Sequence, residues 1–329
     1  MSNDLVIQEP EKDIQPTDAE MLRIYRYKAA SKSDKTIEDY RYGWKYFEEF
    51  CQPRGSRMIP ASPLTICSYA TTMADKGLSM NTIRARLAAI GFTHEAAGKP
   101  NPIKDFTVKS VLKGIGNKIG TAVDKKTAIG IKELRDACAM IDTSDLRGKR
   151  DKAMLLVGYF GAFRRSELVG IRLEHITFQA DQTKILLKKS KTDQAGKGLI
   201  KHIPILEAQH ADICPTRALR QYWAATGKRG GLIFRAINRW GHLSESIGSK
   251  EIERLVKRVA ESLGLDPADF AGHSLRSGFV TDATNAEVQD SDIMEQTHHT
   301  NRATIDEYRQ THGKGAMRAI DKITTKLLD

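Results

Sequence analysis

Six residues in the C-terminal half, Arg164, Lys191, His273, Arg276, His299 and Tyr308, have the types and order to act on a phosphate. A free phenol titrates near ~10. It becomes a nucleophile when nearby cations ease the loss of its proton, and the same cations stabilise a phosphorane-like transition state. Transfer of a phosphodiester to an enzyme needs a nucleophile, positive charge on the non-bridging oxygens and an acid for the departing 5′-oxygen. Arginine suits the second task because its planar fork matches two phosphate oxygens at once. Five basic side chains can carry this charge balance without Mg²⁺. The sequence has no G-x-x-x-x-G-K-[ST] phosphate loop.

Taken singly, each residue also has an ordinary structural reading. His273 and Arg276 stand three apart on one helix face, as many surface pairs do. Arg164 and Arg165 could open an exposed helix. Lys191 sits in a lysine-rich loop, and Tyr308 shares a helix face with Ile305. The His298-His299 pair lacks Cys, Asp or Glu at ligand spacing, which argues against a metal.

The elements that must position these residues fall into two groups. At 329 residues the chain is long enough for two domains, and 40% hydrophobic with 28% charged residues describes a soluble globular protein. The net charge of +11 favours a polyanionic partner, and the acidic first twenty residues make the body more basic still. Residues 1–18 read as a disordered acidic tail. Cys51, Cys67, Cys138 and Cys214 form no CxxC pair, which fits a reducing cytoplasm in a bacterial or phage-infected cell. No stretch has the length of a membrane span, and no signal peptide is visible.

Residues 19–118 read as an all-helical domain. Ile37, Tyr40, Trp44, Phe47 and Cys51 recur at helical spacing after a Ser33 or Asp34 cap. Leu64 to Lys76 gives a second helix, and Ser79 caps a third with Met80, Ile83, Leu87 and Ile90 as its core stripe. Residues 105–118 give a fourth. Residues 119–130 read as a linker. The second domain, 131–329, begins with helices near 131–141 and 148–160. Strands follow at 175–178, 183–188 and 200–205, with a polar hairpin loop holding Lys191 between the last two. The remainder reads as mainly helical.

The whole set resembles the tyrosine recombinase, or phage integrase, family. Gly158-Tyr159-Phe160-Gly161-Ala162-Phe163-Arg164-Arg165-Ser166-Glu167-Leu168 resembles the family's first-arginine motif, and Ser190-Lys191-Thr192 its hairpin lysine. Gly272-His273-Ser274-Leu275-Arg276 resembles its H-x-x-R box, and His299, nine residues before Tyr308, its closing segment. Stretches from Ser33 to Leu87 are similar to the core-binding domain of Cre-like recombinases. The resemblance covers roughly residues 20–325. It implies a mainly α fold with a small antiparallel β-sheet in the catalytic domain, arranged as a two-domain DNA clamp. It also implies that Tyr308 attacks the scissile phosphate, leaving a 3′-phosphotyrosyl link. Arg164 and Arg276 would hold the non-bridging oxygens, Lys191 would protonate the 5′-oxygen, and His273 would assist. His299 would donate a hydrogen bond to the phosphate, and Glu167 would brace the site. No cofactor is expected.

For DNA binding, the face of the third helix opposite its core stripe carries Thr82, Ala85, Arg86 and Ala89. Its small residues are expected to let the backbone approach a major groove while Arg84 and Arg86 reach bases or phosphates. In 250–263, Ile252, Leu255, Val256 and Val259 are expected to face inward, with Lys250, Arg254 and Lys257 outside. Lys250 is the expected base contact there, and Arg235 and Arg239 the expected phosphate contacts. The resemblance implies a homotetramer on double-stranded DNA with inverted repeats, joined by exchange of a C-terminal helix at about 316–329. It also implies strand exchange through a Holliday junction. With no arm-binding domain expected ahead of residue 19, accessory proteins are expected to be dispensable. A helper-dependent integrase or chromosome-dimer resolvase is the alternative within the family, and a type IB topoisomerase or a non-catalytic regulator lies outside it.

Overall fold

The computed structural model describes residues 31–120, 126–188 and 198–306, together with Thr17, Ala19, Glu20, Arg23 and Tyr27. Lys191, Tyr308, the C-terminal helix expected at about 316–329, nearly all of the acidic tail and the middle of the linker lie outside the described residues. The chain divides into two units with the boundary between Asp124 and Lys125.

The first unit is built from α1 (Asp34–Cys51), α2 (Pro63–Asp75), α3 (Met80–Ala96) and α4 (Phe106–Ile119). Three helices start on the same device. The hydroxyls of Ser33, Ser62 and Ser79 each accept from the N–H three residues on, at Thr36, Thr65 and Thr82, occupying donors that the first helical turn leaves without partners. Ser33 is therefore the cap, and Asp34 lies inside the helix. Phe47, Ile66, Ile83, Leu87, Ile90 and Val108 form the closed centre of the core. His94 is buried among them and fully bonded. Its Nε2 accepts from the Ala61 N–H at 2.9 Å, which leaves the ring proton on Nδ1 to meet the Ile90 carbonyl at 2.8 Å.

One expectation about α3 needs correcting. Ala89 does not face outward. It is buried against α1, where a Cβ added to Gly43 would lie 2.7 Å from its own. The small residue serves close approach between two helices of the protein, and only Ala85 of that pair is exposed.

The second unit is organised around α6 (Leu146–Phe160), whose Ala153 to Val157 are all within 1% of full burial. Around it lie α5 (Ile131–Met140), the short α7 (Arg165–Val169), α8 (Pro215–Thr226), α9 (Lys250–Ser262), α10 (Ser274–Asn285) and α11 (Asp290–Thr297). Strands β1 (Ile176–Phe178), β2 (Gln182–Leu187) and β3 (Leu199–Pro204) form an antiparallel sheet in the order β1-β2-β3. Both strand pairs run in continuous register, with Ile176 opposite Ile185 and Ile185 opposite Lys201. The architecture is thus mainly helical with one small antiparallel sheet, as the sequence implied.

Candidate active site

The site grows from a tight turn at the end of α6. Ala162 takes a left-handed backbone (φ 46°), a conformation that costs a non-glycine residue energy and persists when its surroundings hold it. Its carbonyl accepts from Nη1 of Arg276 at 2.7 Å. Two residues later Arg164 caps α7. Glu167, one turn on, accepts from the Arg164 backbone N–H at 2.9 Å and from its Nη1 at 2.6 Å. Burial acts to raise the Glu167 carboxyl, but the Arg164 hydrogen bonds and charge outweigh it, so Glu167 titrates below the ordinary range. The bond to Nη1 uses one edge of the Arg164 guanidinium, and the side chain stays partly exposed.

Arg276 enters from α10. The exposed His273 immediately precedes that helix, and Arg276 lies one turn in and buried. Besides Ala162, the Arg276 guanidinium bonds the Thr297 carbonyl at 2.7 Å through Nη2. Thr297 ends α11, and His298 caps it in the left-handed region (φ 54°). Arg276 thereby ties the α6–α7 turn to the end of α11, directly before His299.

His299 is held neutral. Burial comes first and the charges of Arg276, Arg164 and Lys201 follow, lowering it to about 4. The Thr297 hydroxyl donates to the Ile293 carbonyl at 2.6 Å, so its 3.1 Å contact with His299 Nδ1 places the imidazole proton on Nδ1. The Nε2 lone pair is then unprotonated. His298, beside it, is lowered to about 4 mainly by burial and then by Lys201.

Lys201 was not anticipated. It lies fully buried on β3, and the charges of Arg276, Glu167 and Arg164 all act on it. Burial, then the Arg276 charge, brings its ammonium down to about 7. Its Nζ donates to the Gln296 carbonyl. The signal in the sequence was strand alternation, which puts Lys201 on the face of Ile203, but Ile200 on the opposite face hid it. Among the described residues no group of His, Cys, Asp and Glu could hold a metal ion.

The structure brings Arg164, Glu167, Arg276 and His299 together, with His273 at the first residue before the helix that carries Arg276. Of the expected DNA-reading residues, Thr82 and Arg84 are exposed on α3, and the Arg86 guanidinium lies 3.9 Å over the Tyr46 ring. Lys250, Arg254 and Lys257 share a groove of about 590 Å³ with Arg165, Ser249 and Glu253. Arg165 bonds Glu253 at 2.7 Å, and Lys257 bonds the same carboxylate at 3.2 Å. The inward residues Ile252, Leu255, Val256 and Val259 are all buried. Arg239 is exposed and stacks on Trp240. The expectation for Arg235 is revised. It is 4% exposed, and its guanidinium bonds the Leu232, Ser244 and Gly230 carbonyls and Glu245, so it braces its own loop.

Comparisons with known proteins identify the family. Residues 130–314 match the phage integrase family. An integrase/recombinase xerD homolog from Selenomonas ruminantium is 37% identical over 291 residues, covering 87% of this chain and 84% of that protein. The fold is similar to the XerH site-specific recombinase bound to palindromic difH substrate in a post-cleavage complex. That match has a TM-score of 0.63 and 17% identity, covering 91% of this chain and 84% of the other. It is also similar to a lambda integrase (75–356) dimer bound to a COC′ core site, with a TM-score of 0.56 and 16% identity over 89% and 95% of the two chains. With its family match over more than half its length and its close relative, this chain belongs to the phage integrase family of tyrosine recombinases, enzymes that transfer DNA strands.

Proposed function

We propose that the protein is a site-specific recombinase that cleaves and rejoins DNA through a 3′-phosphotyrosyl intermediate. The observation that carries this reading is the convergence of Arg164, Arg276 and His299 where the α6–α7 turn meets the end of α11. Two guanidinium groups there, with Lys201 beside them, supply the positive field that a phosphodiester transition state needs. In the proposed reaction the Tyr308 oxygen bonds to phosphorus as the bond to the 5′-oxygen breaks. Lys191 gives its proton to that oxygen, and His273 assists by taking up the proton that the Tyr308 phenol loses. The reverse attack by a 5′-hydroxyl reseals the strand, so the energy of the linkage is conserved and no nucleotide is consumed. Burial first and the cations second hold His299 neutral; a bound phosphate offsets the cations and favours a proton on Nε2, from which the ring can donate to it. Buried Lys201 adds to the positive field.

Assembly follows the same reading. Two target sites would be held by a tetramer, with strands passed through a Holliday junction and protomers joined by the 316–329 segment. Thr82, Arg84, Arg86, Lys250, Arg254, Lys257 and Arg239 would contact the duplex. Within the family, the second reading is a helper-dependent integrase or chromosome-dimer resolvase.

The test begins by selecting duplexes from a random-sequence pool with the Tyr308→Phe protein. A selected duplex, nicked to trap the intermediate, is then incubated with wild type. A covalent adduct on a denaturing gel is expected with wild type, unaffected by EDTA, and none with Tyr308→Phe. An adduct that survived the Tyr308→Phe change would overturn the assignment of the nucleophile.

A further inference from the structure

Strand β3 carries a cation where its pairing calls for an apolar side chain. Lys201 stands opposite Ile185, which stands opposite Ile176, and it is fully buried. A buried ammonium needs compensation. Here the Nζ donates to the Gln296 carbonyl in the last turn of α11 and lies 5.7 Å from the centre of the Phe163 ring. Gln296 is itself a cross-link: its side-chain amide donates to the Phe160 carbonyl at 2.8 Å and the His202 carbonyl at 2.7 Å. The following carbonyl, that of Thr297, accepts from Arg276. The end of α11 is thus held by two basic side chains donating to its last carbonyls, the groups a helix C-terminus leaves without partners.

We propose that Lys201 is a positioning residue for strand transfer, fastening the end of α11 to β3 so that the His299 segment is held against the two arginines. The chain reaches His299 two residues beyond Thr297 and Tyr308 nine residues later, while Lys201 itself follows Lys191 by ten. One lysine therefore ties the strand leading from the expected acid to the segment leading to the expected nucleophile. Loss of this tie leaves every reacting group in the chain but lets their spacing drift, and a displacement of ~1 Å costs about 10²-fold in rate.

This inference rests on the recombinase reading, and the experiment separates the two. Full-length wild type, Lys201→Met, Lys201→Arg and Lys191→Ala are compared on the selected nicked duplex and on the same duplex with sulfur replacing the bridging 5′-oxygen. A sulfur leaving group departs without needing a proton. Lys201→Met is expected to bind DNA within about threefold of wild type yet form adduct about 10²-fold more slowly at saturating DNA. The sulfur duplex is expected to rescue Lys191→Ala and not Lys201→Met. Lys201→Arg, which keeps a donor for Gln296, is expected to recover part of the rate. Rescue of Lys201→Met by sulfur would make Lys201 the acid and overturn the positioning role. So would an unslowed Lys201→Met, a loss of binding equal to the loss of rate, or Lys201→Arg no faster than Lys201→Met. If wild type gave no adduct on either duplex, the recombinase reading itself would fall, and this role with it.

Discussion

Glu167 holds Arg164 at both ends, taking the backbone N–H on one carboxylate oxygen and Nη1 on the other. The arrangement fixes where the side chain leaves the backbone and how its guanidinium is rotated. A charged bidentate acceptor is stronger and more directional than a neutral one. Glu167→Gln is therefore expected to keep the helix cap through its amide oxygen but loosen the guanidinium. Adduct formation at saturating DNA should slow by about tenfold or more, with DNA affinity nearly unchanged. Glu167→Ala removes both contacts and should slow it further. Equal rates for the Gln variant and wild type would show that Arg164 is aimed by something else.

The start of the second unit is anchored to the helix that carries Arg276. The Ile129 N–H donates to the Ser274 carbonyl at 3.0 Å, and the Ile131 N–H donates to Asp282 at 2.7 Å, an oxygen that also accepts from the Tyr159 hydroxyl. Gly278 permits this contact, since a Cβ there would lie 1.7 Å from the Ile129 carbonyl oxygen. Because the obstruction is backbone, Gly278→Ala should force α10 and residues 129–131 apart, costing about 1–3 kcal/mol or more. Denaturant unfolding would measure the cost, and slower adduct formation should accompany it because α10 carries Arg276. An unchanged midpoint would mean that the close approach is not maintained in solution.

Much of this was legible in the sequence, for identifiable reasons. The serine caps of α1 and α3 and the inward stripe of α9 obey local rules that need no tertiary knowledge. The Arg164–Glu167 pair lies within one helical turn. What escaped depended on partners distant in the chain. Arg235 reads as a solvated loop charge until its loop folds round and surrounds it with carbonyls. Ala89 reads as a surface position until Gly43 brings α1 against it. Lys201 is the clearest case, because Ile200 and Ile203 are apolar neighbours on opposite faces of β3 and the alternation alone does not choose between them. Ile200 is about half exposed, while the lysine is inside.

Two exposed cations of the second unit, Lys250 and Arg239, have different proposed roles. If Lys250 reads a base edge, Lys250→Ala should relax sequence preference at one position of the selected site, by about 1–3 kcal/mol of discrimination. If Arg239 holds a phosphate, Arg239→Ala should weaken binding to all duplexes alike and lower the salt dependence by about one released counterion. Binding measured on the selected duplex and its single-base variants, across a salt series, separates the two. A uniform loss from Lys250→Ala would reassign it to the backbone.

The lowered Lys201 ammonium carries a pH signature for stability. Burial and the Arg276 charge bring it from 10.5 in the ordinary state to about 7 in the folded protein. Below about pH 7 the lysine is charged in both folded and unfolded chains, and the folded state bears the full cost of burying it. Between about 7 and 10.5 the folded chain has released the proton while the unfolded chain still holds it, so unfolding takes up a proton and stability rises with pH. Wild type should therefore gain stability relative to Lys201→Met as pH is raised from 6.5 to 9.5. His298 and His299, whose titrations Lys201 also shifts, stay at about 4 in the folded protein, below this window. Urea unfolding of the two proteins at several pH values reads this directly, and a difference that stayed flat or fell over that window would mean that Lys201 keeps its ordinary proton affinity beside Arg276.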